Sequence, residues 1–275
     1  MYRVGWFSTG RDQAARDLLT SVWFAAGRGE LAVEIPFVFS NRGLGEAVQS
    51  DLFLELVQAY GIPVVCFSSR DFRPELRCQD LKAWRLQYDR EVMRLLGGFY
   101  ADLHTLAGYM LIVGEEMCRC YNMINLHPAP PNGPAGTWQE VIWKLIEAGA
   151  EWSGVMMHRV TPELDKGPPV AYCRFPIRGY HFDELWAQIE GLPLAEVKAR
   201  QGEDSPLFRM IRKHGVLREL PLLVVTLKAF SEGRVRVEGG QVVDGMGQPI
   251  PGYDITPEIE EIIRTRIPPS ELHLF

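Results

Sequence analysis

A short apolar strand that runs directly into a proline-rich loop limits the folds open to this chain. In the segment INLHPAPPNGPAGTW (124–138), Asn125 and His127 alternate with apolar residues, and four prolines follow. Residues two apart in an extended strand share a face, so the amide and the imidazole point the same way. Proline fixes φ and lacks the N–H that a sheet ladder needs. The strand therefore ends at Pro128, where a shaped loop begins.

Strand-like and helix-like segments alternate along the first half of the chain. The alternation predicts a doubly wound, mainly parallel (Rossmann-like) α/β sheet. Open sheets of this kind place their sites at the carboxyl ends of the strands, which is where Asn125 and His127 lie. No G-x-G-x-x-G follows the first strand, so a nicotinamide dinucleotide is not expected. The predicted strands are 2–8, 31–39, 62–67, 103–106 and 122–126. Helices are predicted over 12–26, between the second and third strands to about residue 60, and over 76–96.

The next part of the chain predicts a helix and then two strands around a carboxylate. Thr137 and Glu140 form a capping box, which is typical of a helix start. Strands are predicted over 152–160 and 170–176, and the turn between them carries Asp165. Asp165 thus becomes a candidate partner for the polar residues at the end of the earlier strand.

The character of the sequence changes in its last third. The stretch 179–210 is a polar insertion expected to be helical, and a longer amphipathic helix reaches residue 230. A hairpin turning at Gly239-Gly240 follows, and the segment PEIEEIIRTRI predicts a terminal helix. The expected organisation is an α/β domain over 1–178 and a C-terminal subdomain over 179–275, made of helices and a hairpin and packed on the first.

Composition excludes several classes of protein. Hydrophobic residues make up 47% of the chain and charged residues 23%, and no apolar run approaches the ~20 residues of a membrane span. The N-terminus lacks the pattern of a signal peptide. Five cysteines with a single Cys-x-Cys predict reduced thiols, a cytoplasmic location and no metal site. The net charge of −6 argues against a nucleic-acid partner.

Asn125, His127 and Asp165 together suit acyl transfer. An aspartate beside an imidazole orients the ring and raises its pKa, and the amide offers a donor to a developing oxyanion. No Ser or Cys sits in a nucleophile elbow, so direct attack by a substrate amine fits better than a covalent enzyme intermediate. The alternative for Asn125 and His127 alone is a strand-end cap beside a structural histidine. For His158, in the middle of a predicted strand, a structural role is favoured.

These residues belong to a longer pattern. N-x-H-P at 125–128 is followed by G-x-x-x-H-x-V-x-x-x-x-D-x-G-P at 154–168, with LAGYMLIV at 106–113 and FSNR at 39–42 upstream. In these segments the chain resembles the formyltransferases that use 10-formyltetrahydrofolate, and most of all those that act on phosphoribosylglycinamide in purine synthesis. The resemblance implies a sheet of the formyltransferase type with a small C-terminal helical and hairpin extension.

The resemblance also implies a role for each site residue. Asn125, His127 and Asp165 correspond to the family's catalytic set. A protonated His127 and the Asn125 amide would stabilise the oxyanion, and Asp165 would hold the imidazole and help move the amine's proton. The co-substrate, 10-formyltetrahydrofolate, is received in the family by two segments that correspond here to Met110, Leu111, Ile112, Val113, Thr161 and Leu164.

The acceptor site departs from the family's pattern. Relatives that bind a sugar phosphate cradle it in a glycine-rich turn after the first strand, whereas this chain has Gly10, Arg11 and Asp12 there. We expect Arg11 and the retained Arg70 to bind the phosphate, while Asp12 caps the following helix. The implied partner is a small phosphorylated amine, with neither nucleic acid nor membrane. The oligomeric state stays open, with a homodimer as one candidate.

Other functions fit parts of the same pattern. One alternative acceptor is a different amine, such as a nucleotide-linked amino sugar. Hydrolysis of formyltetrahydrofolate uses the same three residues, although that relative carries an N-terminal regulatory domain and this chain starts at its first strand. The tRNA-directed relative carries a separate C-terminal barrel, for which too few residues remain. A non-catalytic nucleotide- or folate-binding protein would give the three polar residues no reason to converge.

Overall fold

A nine-stranded, mainly parallel sheet forms the centre of the described part of the chain, residues 1–266 of a computed structural model. Two further strands form a separate hairpin. The strands are β1 (Tyr2–Ser8), β2 (Val33–Glu34), β3 (Val38–Ser40), β4 (Val64–Cys66), β5 (Leu103–Leu106), β6 (Met123–His127), β7 (Trp152–Arg159), β8 (Pro169–Pro176), β9 (Val235–Glu238), β10 (Gln241–Asp244) and β11 (Tyr253–Asp254).

The sheet order confirms the predicted doubly wound arrangement. The strands lie in the order β11-β8-β7-β6-β5-β1-β3-β4, with β2 beside β1. Strands β1 to β6 pair in parallel, and β11 is parallel to β8. The pairs β6–β7 and β7–β8 are antiparallel. The short β7–β8 connection requires this direction, because parallel neighbours need a crossover of a dozen or more residues.

Helices cover the sheet, and several begin where their capping residues predict. The side chain of Asp12 accepts from the Ala15 N–H, and Thr137 and Glu140 form the expected capping box. The helices are α1 (Gln13–Gly27), α2 (Val48–Ala59), α3 (Pro74–Gln79), α4 (Leu81–Leu96), α5 (Glu115–Cys120), α6 (Trp138–Glu147), α7 (Tyr180–Ala187), α8 (Leu194–Gln201), α9 (Pro206–Ser231) and α10 (Thr256–Arg266).

Two predicted elements are each divided in the structure, and one strand was missed. The strand predicted over 31–39 becomes β2 and β3, because Pro36 lacks the N–H needed to continue the ladder along β1. The helix predicted over 76–96 becomes α3 and α4, because extended Asp80 ends one helix and its side chain caps the next at Ala83. The two-residue β11 is too short for the alternation to reveal.

The last third of the chain packs on the preceding α/β part through α9 and β11. Leu222 and Leu223 of α9 share a buried cluster with Val4 of β1 and Met157 of β7. The predicted hairpin and the helices of the insertion are present. The predicted terminal helix extends to Ile267, which lies outside the described residues. Among the described helices, none is both long and apolar enough to cross a membrane.

Candidate functional site

A cleft of about 310 Å³ opens beside the carboxyl ends of β5 and β6. One part of its wall is the apolar segment that follows β5, and another part is the loop that follows β7. The polar floor is formed by Asn125, His127, His158 and Asp165. A largely apolar cleft with a few convergent polar groups is the usual form of a small-molecule site.

The strand register and one loop bring the polar residues together. Asn125 of β6 lies opposite His158 of β7. Asp165 stands between β7 and β8 with φ +53°, in the left-handed region. Its Oδ2 lies 3.6 Å from Nδ1 of His127, and its Oδ1 lies 3.6 Å from Nε2 of His158. Oδ2 also accepts the Gly136 N–H at 3.2 Å, so Asp165 ties the β7–β8 loop to the loop after β6.

Gly167 allows the β7–β8 loop to close over the strand. A Cβ built at this position would lie 1.6 Å from the carbonyl oxygen of Arg159, which no side chain could tolerate. The same turn lets the Arg159 N–H donate to the Pro168 carbonyl at 2.9 Å. The Asp-x-Gly-Pro sequence therefore requires glycine at residue 167 for steric reasons. The close approach of Gly167 to Arg159 positions Asp165, which lies two residues before the glycine.

Asp165 acts to raise the pKa of His127, as expected, but burial outweighs this effect and the net shift is downwards. His127 is 3% exposed, and burial lowers the pKa of its imidazole although the Pro134 carbonyl and Asp165 oppose this effect. Nε2 donates to the Pro134 carbonyl at 2.9 Å. A carbonyl can only accept, so the neutral ring carries its proton on Nε2 and turns an unprotonated Nδ1 towards Asp165. His127 is therefore a neutral base near pH 7.

Asp165 remains ionised. Burial acts to raise the pKa of its carboxyl, but the contact with His158, the nearby His127 and the Gly136 N–H together lower it. The floor of the cleft thus combines a carboxylate with a neutral imidazole. A proton taken up by the Asp165 carboxylate could therefore move on to the unprotonated Nδ1 of His127, 3.6 Å away.

His158 belongs to the polar floor, although a structural role was favoured for it. Its Nδ1 donates to the carbonyl of Arg159 at 2.9 Å, which fixes the ring. Its Nε2 lies 3.1 Å from the Asn125 Nδ2 and faces Asp165. With the ring proton on Nδ1, Nε2 accepts from the Asn125 amide. Its four-residue spacing from Gly154 in the motif was the signal that could have indicated this position.

The residues predicted to receive the folate all line the cleft. Met110 and Leu164 expose 49% and 52% of their surface, which is high for apolar residues and leaves them free to contact a flat ring. Their role in binding stays a prediction. The six predicted residues on the cleft walls are Met110, Leu111, Ile112, Val113, Thr161 and Leu164.

The residues predicted for the acceptor do not form one group. Arg11 lines the cleft, where its Nε lies 3.4 Å from Oδ2 of Asp12. Gly10 has φ +64°, and a Cβ there would lie 2.7 Å from Phe53, so only glycine fits. Arg70 is exposed in the loop after β4, and its Nη1 donates to the Glu46 carbonyl at 3.4 Å. Arg70 is not among the residues that line the cleft.

Sequence reasoning missed the contribution of the loop after β6 and the start of α6. Gly136, Thr137, Trp138 and Glu140 also line the cleft. The capping box predicted the helix start but not that it faces the site, because only the folded loop decides this. Within the described residues, no group of three or more His, Cys, Asp or Glu side chains could hold a metal ion.

The fold and the site define an α/β enzyme of the group-transfer class. A family model described as formyl transferase matches residues 17–184, which is more than half of the chain. The chain therefore belongs to the formyl transferase family. It is a formyltransferase enzyme, and its co-substrate is 10-formyltetrahydrofolate.

Similar proteins fall into two groups by the reaction that their names state. A phosphoribosylglycinamide formyltransferase from Haemophilus influenzae is 28% identical over 244 residues, covering 86% of this chain and 92% of that protein. The structure of the same kind of enzyme from Coxiella burnetii has a TM-score of 0.65 at 21% identity, covers 92% of this chain and 98% of its own, and shares the fold. A formyltetrahydrofolate deformylase structure from Pseudomonas syringae has a TM-score of 0.57 at 25% identity and covers 88% of this chain and 65% of its own.

Proposed function

We propose that this protein transfers the formyl group of 10-formyltetrahydrofolate to the primary amine of 5′-phosphoribosylglycinamide, a step of purine synthesis. The observation that carries the proposal is the meeting of Asn125, His127 and Asp165 on the floor of one cleft. The Haemophilus influenzae relative, named for this reaction, supports the choice of acceptor. We also propose a cytoplasmic location, as expected from the sequence.

The first step is attack of the amine on the formyl carbon. The folate lies between the Met110–Val113 wall and the residues near Leu164, with its formyl oxygen towards the Asn125 Nδ2. That amide donates to the oxyanion as the tetrahedral intermediate forms. Loss of one such donor typically costs about 10²–10³ in turnover.

The proton follows the pair on the floor of the cleft. The ionised carboxylate of Asp165 accepts a proton from the attacking amine, directly or through water, and passes it to Nδ1 of His127. The imidazolium that results places a positive charge beside the oxyanion. When the intermediate collapses, the bond from carbon to the folate nitrogen breaks and His127 returns its proton to that nitrogen. The products are the formylated amine and tetrahydrofolate.

The test combines product formation with folate binding. The purified protein is incubated with 10-formyltetrahydrofolate with and without 5′-phosphoribosylglycinamide, and formylated amine is measured. His127→Ala is expected to lose about 10²–10⁴ of the turnover while it keeps its affinity for the folate, because His127 acts in the transition state. A parent protein that leaves this amine unformylated would refute the choice of acceptor. Equal losses of folate affinity and turnover would give His127 a structural role.

Hydrolysis of the same co-substrate is the second candidate. The deformylase from Pseudomonas syringae, with its similar fold and 25% identity, is the observation that favours it. Water would take the place of the amine, and the products would be formate and tetrahydrofolate. Formate release that is equally fast with and without an amine would select this reaction. Formyl transfer to a nucleotide-linked amino sugar, tested in the same assay, would select the alternative acceptor.

A further inference from the structure

The loop after β6 contacts both His127 and Asp165 through its backbone. The carbonyl of Pro134 accepts from Nε2 of His127 at 2.9 Å, and the Gly136 N–H donates to Oδ2 of Asp165 at 3.2 Å. That carboxylate oxygen is also the one that faces Nδ1 of His127, at 3.6 Å. The two peptide groups on either side of Ala135 therefore fix the positions of both side chains.

An exposed lysine holds the residue between these two contacts. Nζ of Lys144, on α6, donates to the carbonyl of Ala135 at 2.8 Å. This carbonyl and the Gly136 N–H belong to the same peptide group, which is trans, so the C=O and the N–H point in opposite directions. Lys144 therefore contacts one end of the peptide group whose other end contacts Asp165.

The charge of Lys144 strengthens the bond to Asp165. A cation on the carbonyl oxygen draws electrons from the amide and makes its N–H a better donor, because each hydrogen bond in a chain polarises the next. The side chain of Asp165 is 8% exposed, so water competes little for this bond. Burial acts to raise the pKa of Asp165, and the Gly136 N–H is among the contacts that lower it. Lys144 thus supports the ionised carboxylate although it does not itself line the cleft.

The start of α6 fixes the same loop at a second point. Oε2 of Glu140 accepts the Thr137 N–H at 2.7 Å, and a Cβ at Gly136 would collide with that oxygen. Gly136 has φ +121°, which glycine adopts without steric cost. Backbone groups of Ala135 and Thr137 are therefore both held by side chains of α6, and the Gly136 N–H between them is directed at Asp165.

We propose that Lys144 is a positioning residue for formyl transfer, which holds the Asp165 carboxylate in place through the Ala135–Gly136 peptide group. The inference rests on the proposed function for the role of Asp165 as proton acceptor. The alternative is that Lys144 is only a surface partner of Glu140, four residues earlier on α6. The pKa of Glu140 is lowered chiefly by its contacts with Thr137 and less by the charge of Lys144.

The first test removes the charge and the donor but keeps most of the length of the side chain. Lys144→Met is expected to lower kcat roughly 5- to 20-fold, less than the loss of a group that itself transfers the proton, with both KM values unchanged. Lys144→Arg keeps a cationic donor and is expected to restore most of kcat. Lys228→Met is the matched control, since Lys228 is a half-exposed lysine beside an acid four residues away, and it should match the parent.

A double-mutant cycle separates the positioning of Asp165 from general support of the fold. In the Asp165→Asn background, Lys144→Met is expected to leave the residual kcat unchanged, because the carboxylate on which the lysine acts is absent. A lysine that only stabilises α6 would lower kcat by the same factor in both backgrounds, and that result would overturn the inference. Unaltered kcat in the single variant Lys144→Met would overturn it as well.

The amide resonance of Gly136 tests the contact without any substrate. Its proton shift is expected to move upfield in Lys144→Met, because the bond to Asp165 weakens, and to stay in place in Lys228→Met. An unmoved resonance in Lys144→Met would overturn the inference.

The kinetic readout is chosen to be independent of the acceptor. It follows the release of tetrahydrofolate, which formyl transfer to any amine and hydrolysis have in common. A parent that formylates a different amine, or that hydrolyses the folate, would refute the proposed acceptor. The Lys144 variants would still decide the inference, because both reactions need a proton acceptor at Asp165.

Discussion

Asp165 and Asp89 each accept a backbone N–H, and the pKa values of their carboxyls are shifted in opposite directions. Oδ2 of Asp165 accepts the Gly136 N–H at 3.2 Å, and Oδ2 of Asp89 accepts the Gly114 N–H at 2.6 Å, next to the cleft residue Val113. Burial raises the pKa of Asp89 to about 6, and its single backbone bond and Arg85 compensate only in part. The pKa of Asp165 is lowered instead.

The histidines make the difference between the two carboxylates. His127 and His158 each lie 3.6 Å from Asp165, on different oxygens, whereas the partner of Asp89 within hydrogen-bond distance is a neutral amide. Burial alone thus favours a neutral acid, and partners that can carry charge favour an ionised one. The ionised state of Asp165 fits the proton transfer proposed for it, whereas Asp89 holds the start of α5 through the Gly114 N–H. Three experiments test this distinction.

Replacement of Asp165 by asparagine is expected to have the largest effect. The amide cannot accept a proton from the amine, so kcat should fall by about 10²–10⁴. Asparagine tolerates the left-handed backbone of this position, where φ is +53°, so the loop should keep its shape. The measurement is single-turnover formyl transfer. The matched control is Asp89→Asn, which should keep kcat within a few-fold of the parent. Similar kcat losses in both variants would contradict the distinction.

The pH dependence of kcat/KM should show His127 acting as a neutral base. Its pKa is lowered by burial, so the acid limb is expected to lie below pH 6.5, the usual value for histidine. Activity is lost as the pH falls through the pKa of the folded protein, because protonated Nδ1 can accept no further proton. In His127→Ala this limb should disappear from the residual activity. An acid limb centred above pH 6.5 would show that Asp165 dominates over burial.

The smallest expected effect is on stability, in Asp89→Asn. The folded-state pKa of Asp89, about 6, is above its unfolded value of about 3.9. The stability that this group contributes is therefore present at acid pH and lost as the pH rises through about 6. The variant should gain about 1–2 kcal/mol of unfolding free energy relative to the parent above pH 6, and little below pH 4. Urea unfolding of the parent and the variant, above pH 6 and below pH 4, measures the difference in unfolding free energy. The same difference at both pH values would be inconsistent with a raised pKa of Asp89.

Much of the fold could be predicted from local patterns. Strands β1, β5 and β6 and the start of α6 lie within a residue or two of the sequence-based bounds, because their apolar periodicity and capping residues are local signals. The divided elements show the limit of such signals. Pro36 interrupts a strand and Asp80 interrupts a helix, each at a single residue. A periodic pattern read over a window of many residues does not detect such single interruptions.

The sequence by itself predicted which residues carry the chemistry, since Asn125, His127 and Asp165 stand in a motif whose spacing is specific. Only the tertiary structure decided the protonation of His127 and Asp165. The degree of burial and the Pro134 carbonyl keep His127 neutral, and neither can be read from residue order. The contacts of Arg42 and Arg77 with Ser69 also depend on the fold, because the two arginines are far apart in sequence. The physical reason is the same in both cases: electrostatic effects depend on desolvation and distance, which arise only when separate strands and loops pack together.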